Sequence, residues 1–225
     1  MKKMNRMYFV RHGENRANLT KEFSSRRVDY ALTEKGVLQA QQTAEALENK
    51  SIDEIYASPL KRAAQTAEII AERLDLPVKI LDELREIDVG ELEMGPPSAE
   101  AWAFHNQVLM DWLTGKHEVR FPGGDDYIHL FLRVQAAMHE IFDGKEGQNV
   151  TVVSHGGIFM ITLPELCPGT DTLSLLSQPA DNCSITEMLV HTEPGGAIEA
   201  KVVRWADTSH LYGEAAELVS GFPED

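Results

Sequence analysis

The chain has 225 residues, 43% of them hydrophobic, and a formal net charge of −15. One substantial domain, residues 1–225, fits that length, with room for a small embedded cap. The charge argues against nucleic acid or an anionic membrane as a partner, because either would repel it, and no apolar run approaches the length that spans a bilayer.

The start "MKKMNRMYFVRHGEN" is basic like an export signal, but its apolar run covers only residues 7–10. That is too short for a signal and is read as a strand, so a cytoplasmic protein is expected. A continuous apolar run of this kind suits a central strand buried on both faces. A polar loop with Arg26, Arg27 and Asp29 follows. Thr33 is placed to cap a helix over about 34–49, with Leu38, Ala44 and Leu47 among its apolar positions. "IDEIYASP" reads as a short strand and a turn, after which Ser58 caps and Pro59 opens a second helix running to about residue 74. "LPVKIL" is a third strand.

Residues 98–116 turn helical, carrying Trp102, Phe104, Leu109, Trp112 and Leu113, and helix resumes after "PGGDD" to about residue 142. The pair is read either as a cap over the sheet's functional edge, within about 95–125, or as ordinary packing helices, since aromatic stripes at helical spacing usually face a core. "NVTVVSHGGIFM" is a strand over 150–153 that breaks into a loop at Ser154, His155, Gly156 and Gly157. "SITEMLV" and "AKVVRW" flank the turn "EPGG" as an antiparallel hairpin, and "GFPED" is a loose tail. Cys167 and Cys183 lack metal-ligand spacing and are expected to be free or buried thiols. The strand–helix alternation predicts an α/β fold: a three-layer α/β/α arrangement with a mostly parallel central sheet and a small helical cap insertion.

Two histidines occupy equivalent places, His12 after "YFVR" and His155 after "TVVS", each at the end of an apolar strand and each followed by glycine. In doubly wound sheets ligands bind beyond the carboxyl ends of the strands, so both imidazoles belong to the edge where a site forms. Arg62 falls in the first turn of a helix that follows a strand, and its guanidinium can reach the same edge. With Arg11 it supplies two planar forks suited to a phosphoryl group. Glu83, Glu86, Asp88, Glu91 and Glu93 form an acidic run after the third strand, and spacing alone does not choose among them.

These motifs, in this order, resemble the histidine phosphatase superfamily, the phosphoglycerate mutase-like group, and more particularly its broad-specificity phosphatase branch. The resemblance rests on Arg11-His12-Gly13-Glu14 with Asn18, Leu32-Thr33-Glu34 with Gly36 and Gln39-Ala40, and Ser58-Pro59-Leu60 with Arg62, Ala63 and Thr66. It continues through Leu84-Arg85-Glu86 with Gly90, Ser154-His155-Gly156-Gly157, and Asp207-Thr208-Ser209-His210-Leu211. Three places depart from the family's pattern. Asn15 stands where Ser or Thr is usual, Leu92-Glu93-Met94 replaces Trp-Glu-Gly, and Asp125 replaces a glutamate.

The resemblance implies that His12 is a nucleophile forming a phosphohistidine, with Glu86 protonating the leaving oxygen. It also implies that Arg11, Arg62 and a protonated His155 surround the phosphoryl oxygens while Asn18 donates a neutral hydrogen bond. No metal and no cofactor is then required. The expected partner is a small phosphorylated metabolite, and a homodimer is the default assembly. Three readings stay open: a phosphatase, a mutase passing the phosphoryl group to another hydroxyl, and a non-catalytic phospho-ligand-binding module. The stretch between Glu86 and Gly123 has only Lys116 and Arg120 as strong bases, which favours hydrolysis, although Arg26 and Arg27 offer a second anion site.

Overall fold

The computed structural model describes residues 3–171, 178, 180–192 and 198–219. The "EPGG" turn and the "GFPED" tail lie outside the described residues. Six strands form one sheet: β1 (Asn5–Arg11), β2 (Glu54–Ala57), β3 (Val78–Ile80), β4 (Asn149–Ser154), β5 (Ile185–Thr192) and β6 (Ile198–Asp207). Their order is β3-β2-β4-β1-β5-β6. Pairing is parallel from β3 through β1 and antiparallel on both sides of β5, so β5 alone runs backwards. The last two strands are the antiparallel pair expected of the two runs that flank "EPGG".

Alternation along β1 accounts for the layers. Successive strand residues point to opposite faces. Met7 and Phe9 join a core with Val150, Val152, Leu130 and Phe159, while Tyr8 and Val10 join a second core with Ile55, Ala44, Leu47 and Ile70. The second core holds α2 (Glu34–Leu47) and α3 (Lys61–Leu74) against one face. The first holds α4 (Ala99–Leu113), α5 (Tyr127–Phe142) and α6 (Gly156–Leu166) against the other. A five-residue α1 (Arg16–Thr20) follows β1 directly. Among the described residues no helix is long and apolar enough to cross a membrane.

Local reading and structure differ at identifiable places. The second helix begins at Lys61, not Pro59, and Leu60 precedes it without a side-chain cap. The segment read as a loop at 154–157 is the end of β4 followed at once by α6, whose preceding residue His155 offers no side-chain cap either. Leu38 is 39% exposed, while Ala44 and Leu47 are buried as expected. Thr33 does cap α2, accepting the Gly36 N–H at 3.0 Å. Gly36 is dictated by close approach: a Cβ there would sit 2.1 Å from the Glu14 carbonyl oxygen. The start of α2 is thereby pressed against the loop that carries His12.

The three departures from the family's pattern each find a structural occupation. Asn15 caps α1 through a reciprocal pair, its Oδ1 accepting the Asn18 N–H while Asn18 Oδ1 accepts the Asn15 N–H. Asparagine caps as well as a hydroxyl residue does, so the substitution leaves the loop's geometry intact. Asp125 Oδ2 accepts from the Asp88 backbone at 2.9 Å and from Arg133 at 3.1 Å. Glu93 is wrapped by the backbone N–H groups of Ser25, Arg26, Arg27 and Val28. Burial alone would raise its pKa, but those N–H bonds outweigh it and hold the carboxyl below its usual range.

Candidate active site

The site forms where β1 and β4 end side by side. Arg11 is in register with Ser154, and the His12 N–H donates to the Ser154 carbonyl at 3.0 Å. Two strands that end level bring the two following residues together. The His12 and His155 rings stand 5.2 Å apart between centroids.

His12 is 4% exposed and its two ring nitrogens have different partners. Nδ1 lies 2.8 Å from the Gly13 carbonyl, an oxygen that only accepts, so the proton sits on Nδ1. Nε2 then holds the lone pair and accepts from Arg62 Nε–H at 3.0 Å. Burial pushes the His12 pKa well below its ordinary value, and the nearby Arg62 and Arg11 charges push it further. The imidazole is neutral at pH 7, with its free pair aimed at a cation.

Arg62 is the second residue of α3 and is 3% exposed. Its Nη1 and Nη2 donate to the hydroxyl and the carbonyl of Ser24, at 3.1 and 2.8 Å. Burial lowers its pKa to about 10, against the opposing pull of Glu86, so it keeps its charge at neutral pH. Arg11 Nη1 donates to the Ala180 carbonyl at 2.6 Å, whereas its Nε is buried without a partner among the described residues.

His155 is fully buried. Its Nε2 is hydrogen-bonded to Ser58 Oγ at 2.8 Å, and its Nδ1 has no partner. Burial holds its pKa well below the ordinary value, and the charges of Arg62 and Arg11 add to the effect. The unliganded site therefore contains a neutral His155, not the protonated one that the resemblance implies. A dianion among these groups reverses the local sign, raises that pKa and brings a proton with it. Sulfate, which does not titrate near neutrality, is expected to bind more tightly as pH falls below the raised pKa of the liganded state, by at most about tenfold per pH unit for one proton, and the gain ends below the lowered pKa of the free site. Calorimetry in buffers of different ionisation enthalpy reads the proton uptake, and His155→Gln should reduce it to the share taken by His12. A sulfate affinity independent of pH would contradict the coupling.

Of the acidic run, Glu86 alone lines the cavity. Its carboxylate takes the place of the missing cap on α6, accepting N–H bonds from Gly157 and Ile158 at 3.2 and 2.7 Å and from Ile87 at 2.9 Å. Gly157 permits this approach, since a Cβ there would lie 2.9 Å from Glu86 Oε1. Oε1 takes two of the bonds and Oε2 only the longest, which leaves Oε2 the capacity for a proton. Arg133 fixes the segment from behind, donating to the carbonyls of Glu83, Arg85 and Glu86. Asp88 is paired with Arg26 instead.

Asn18 completes the ring. Its Oδ1 accepts from the Asn15 backbone and from Asn182 Nδ2, so its own amide N–H₂ is the group left for a ligand. Arg11, His12, Asn18, Arg62 and Glu86 line one cavity of about 530 Å³, and the His155 ring stands 5.2 Å from that of His12. Two supporting residues carry no signal in the sequence, Ser24, which seats Arg62, and Asn182, which bonds the His12 carbonyl at 2.9 Å; Ser58, part of the Ser-Pro-Leu motif, seats His155. Of the aromatic residues near the cavity, Trp102 lines it, Trp112 is core and Phe104 is 42% exposed. Arg26 and Arg27 do not line it.

The model of the histidine phosphatase superfamily (branch 1) matches residues 7–208. The chain belongs to that superfamily. A relative named "Probable phosphoglycerate mutase GpmB", from Proteus mirabilis, is 33% identical over 221 residues, covering 96% of this chain and 99% of the relative. The solved structure of Bacillus stearothermophilus YhfR is 26% identical, with a TM-score of 0.73 and coverage of 92% and 98%. The alpha-ribazole phosphatase of Shigella flexneri, 24% identical with a TM-score of 0.70 and coverage of 92% and 98%, shares the fold. Within the superfamily this site is two neutral buried imidazoles, two guanidinium groups and one carboxylate on a helix N-terminus.

Proposed function

We propose that the protein is a metal-independent phosphatase that hydrolyses small phosphomonoesters through a phosphohistidine on His12. The observation that carries this reading is the state of His12: neutral, with Nδ1 tied to Gly13 and the Nε2 pair facing the cavity between two cations. A neutral imidazole is a nucleophile at pH 7, and its cationic phosphoryl adduct is a good leaving group.

When substrate enters, Arg62 Nε exchanges the lone pair of Nε2 for an equatorial phosphoryl oxygen. Arg11 Nε, His155 Nδ1 and the Asn18 amide meet the others. The phosphomonoester enters as its monoanion and passes its proton to Glu86 Oε2; Nε2 attacks phosphorus as the ester P–O bond breaks, and Glu86 gives that proton to the departing alkoxide. Glu86 then takes a proton from water, whose oxygen attacks phosphorus as the P–N bond breaks. Phosphate leaves and neutral His12 returns. Phosphoryl transfer asks chiefly for positioning and for stabilisation of charge on the equatorial oxygens, which the two guanidinium groups supply.

Hydrolysis is preferred over transfer to a second phosphorylated hydroxyl because the cavity offers one cationic end. Its lysine and arginine lining consists of Arg11 and Arg62. Lys116 is exposed and paired with Asp111, Arg120 bonds the Gly124 carbonyl, and Arg26 bonds Asp88. The names of the similar proteins include both a mutase and phosphatases and do not choose. Two buried, unpaired thiols, Cys167 and Cys183, suit a cytoplasmic enzyme. Incubation with a phosphomonoester in the absence of any bisphosphate primer is expected to release stoichiometric inorganic phosphate. Transfer to a second hydroxyl with no free phosphate would replace this reading with the mutase.

A further inference from the structure

The 530 Å³ cavity that Arg11, His12 and Arg62 line also has a lining of a different character. Its walls are Phe23, Trp102, Leu109, Leu113, Met160 and Ile161. α4 supplies three of these, α6 two, and the loop after α1 the sixth. Phe23 and Trp102 pack with ring centroids 4.5 Å apart, and the indole N–H is spent on the Lys21 carbonyl at 3.0 Å, so Trp102 presents hydrocarbon to the cavity.

The polar groups of this end are also informative. His105, buried beside Trp102, is held below its ordinary pKa by burial, against the opposing effects of Asn106 and Glu86, and contributes no charge at pH 7. Glu22 also lines the cavity, its Oε2 accepting from the Thr20 and Tyr30 hydroxyls. A second carboxylate or phosphate on the substrate would thus leave water for an apolar wall where, among the described residues, no lysine or arginine lines the cavity besides Arg11 and Arg62, a costly exchange. An uncharged apolar group gains instead by burial, and the Met160 and Met110 thioethers adapt to its outline.

We infer that the substrate is a phosphomonoester of an uncharged, largely apolar alcohol with about one or two rings, held against α4, and that substrates with a second anionic group are disfavoured. The placement of the phosphoryl end rests on the phosphatase reading above. Size supports the class, since cavities of several hundred Å³ lined mostly by apolar side chains are those that enclose ring-sized ligands.

The test is a binding series with phosphonates, which keep the charged head and cannot be hydrolysed. Dissociation constants are measured by calorimetry for methylphosphonate, 2-phenylethylphosphonate, 2-(1-naphthyl)ethylphosphonate and 2-carboxyethylphosphonate. Affinity is expected to rise by about a hundredfold from the methyl to the naphthylethyl compound, and the carboxyethyl compound should bind no more tightly than methylphosphonate. Met110 is 51% exposed at this wall, so Met110→Lys keeps the fold and adds a cation. That variant should gain about tenfold for the carboxyethyl compound. Tighter binding of the carboxyethyl than of the naphthylethyl compound to the unaltered protein, or no gain from the rings, overturns the inference. Hydrolysis of p-nitrophenyl phosphate, run alongside, reports on the catalytic reading alone: its absence with the phosphonate order intact would remove the phosphatase and leave the substrate-shaped chamber.

Discussion

His12→Ala is expected to abolish acid-labile phosphorylation of the protein and to lower phosphomonoester turnover by at least about 10⁴-fold, as removal of a nucleophile does. The size follows from the geometry. His12 Nε2 holds its lone pair against Arg62, whereas His155 is fully buried and does not line the cavity, and His105 lies beside Trp102. No neighbouring group can take over: Glu86 is bound across the N-terminus of α6, and Ser24 is bound to Arg62. The substitution also leaves Arg62 Nε without its partner, so sulfate binding should be retained or improved. That measurement separates a lost nucleophile from a collapsed site. A variant with full activity and normal sulfate affinity would remove His12 from the chemistry.

The second large effect is selective. Glu86→Gln should slow hydrolysis of alkyl phosphates by about 10²–10³-fold and that of p-nitrophenyl phosphate by less than about tenfold, because nitrophenolate leaves without a proton. Glutamine keeps one oxygen for the Ile87 and Ile158 N–H groups but sets an amide N–H₂ against the Gly157 N–H. That clash lowers all rates together. Only a proton-transfer role makes the loss depend on the leaving group, so the ratio between the two substrates is the informative quantity. Equal losses would reduce Glu86 to a capping residue for α6.

The contrast between Glu86 and its neighbours shows how much of this site can be read before folding. Glu83, Glu86, Asp88, Glu91 and Glu93 are alike in spacing and composition. In the fold Glu86 reaches α6, Asp88 pairs with Arg26, and Glu93 fills the turn of backbone N–H groups at 25–28. That last contact also steadies the loop whose Ser24 holds Arg62. None of these partners lies within 20 residues, and a carboxylate's role depends on what it meets.

The misread helix start at 154–157 has the same cause. Two glycines after a strand look like a loop because no local residue caps the helix, whereas the cap comes from Glu86, separated by 71 positions from Gly157. Ser58, a helix cap by local pattern, instead seats His155, 97 positions away. Arg26 and Arg27, read as a second anion site, are turned away from the cavity, one of them by Asp88.

Short-range pattern was enough for the apolar strands β1 and β4, the Thr33 cap, the first-turn position of Arg62 and the pairing of two histidines at strand ends. Each of these rests on periodicity, dihedral preference or capping chemistry within a few residues. The parallel register that levels His12 with His155, the protonation of both rings, the choice of Glu86 and the apolar far wall arise from contacts across the chain. Charge state and cavity shape are properties of what surrounds a side chain, and for this protein the surroundings come from every layer of the fold.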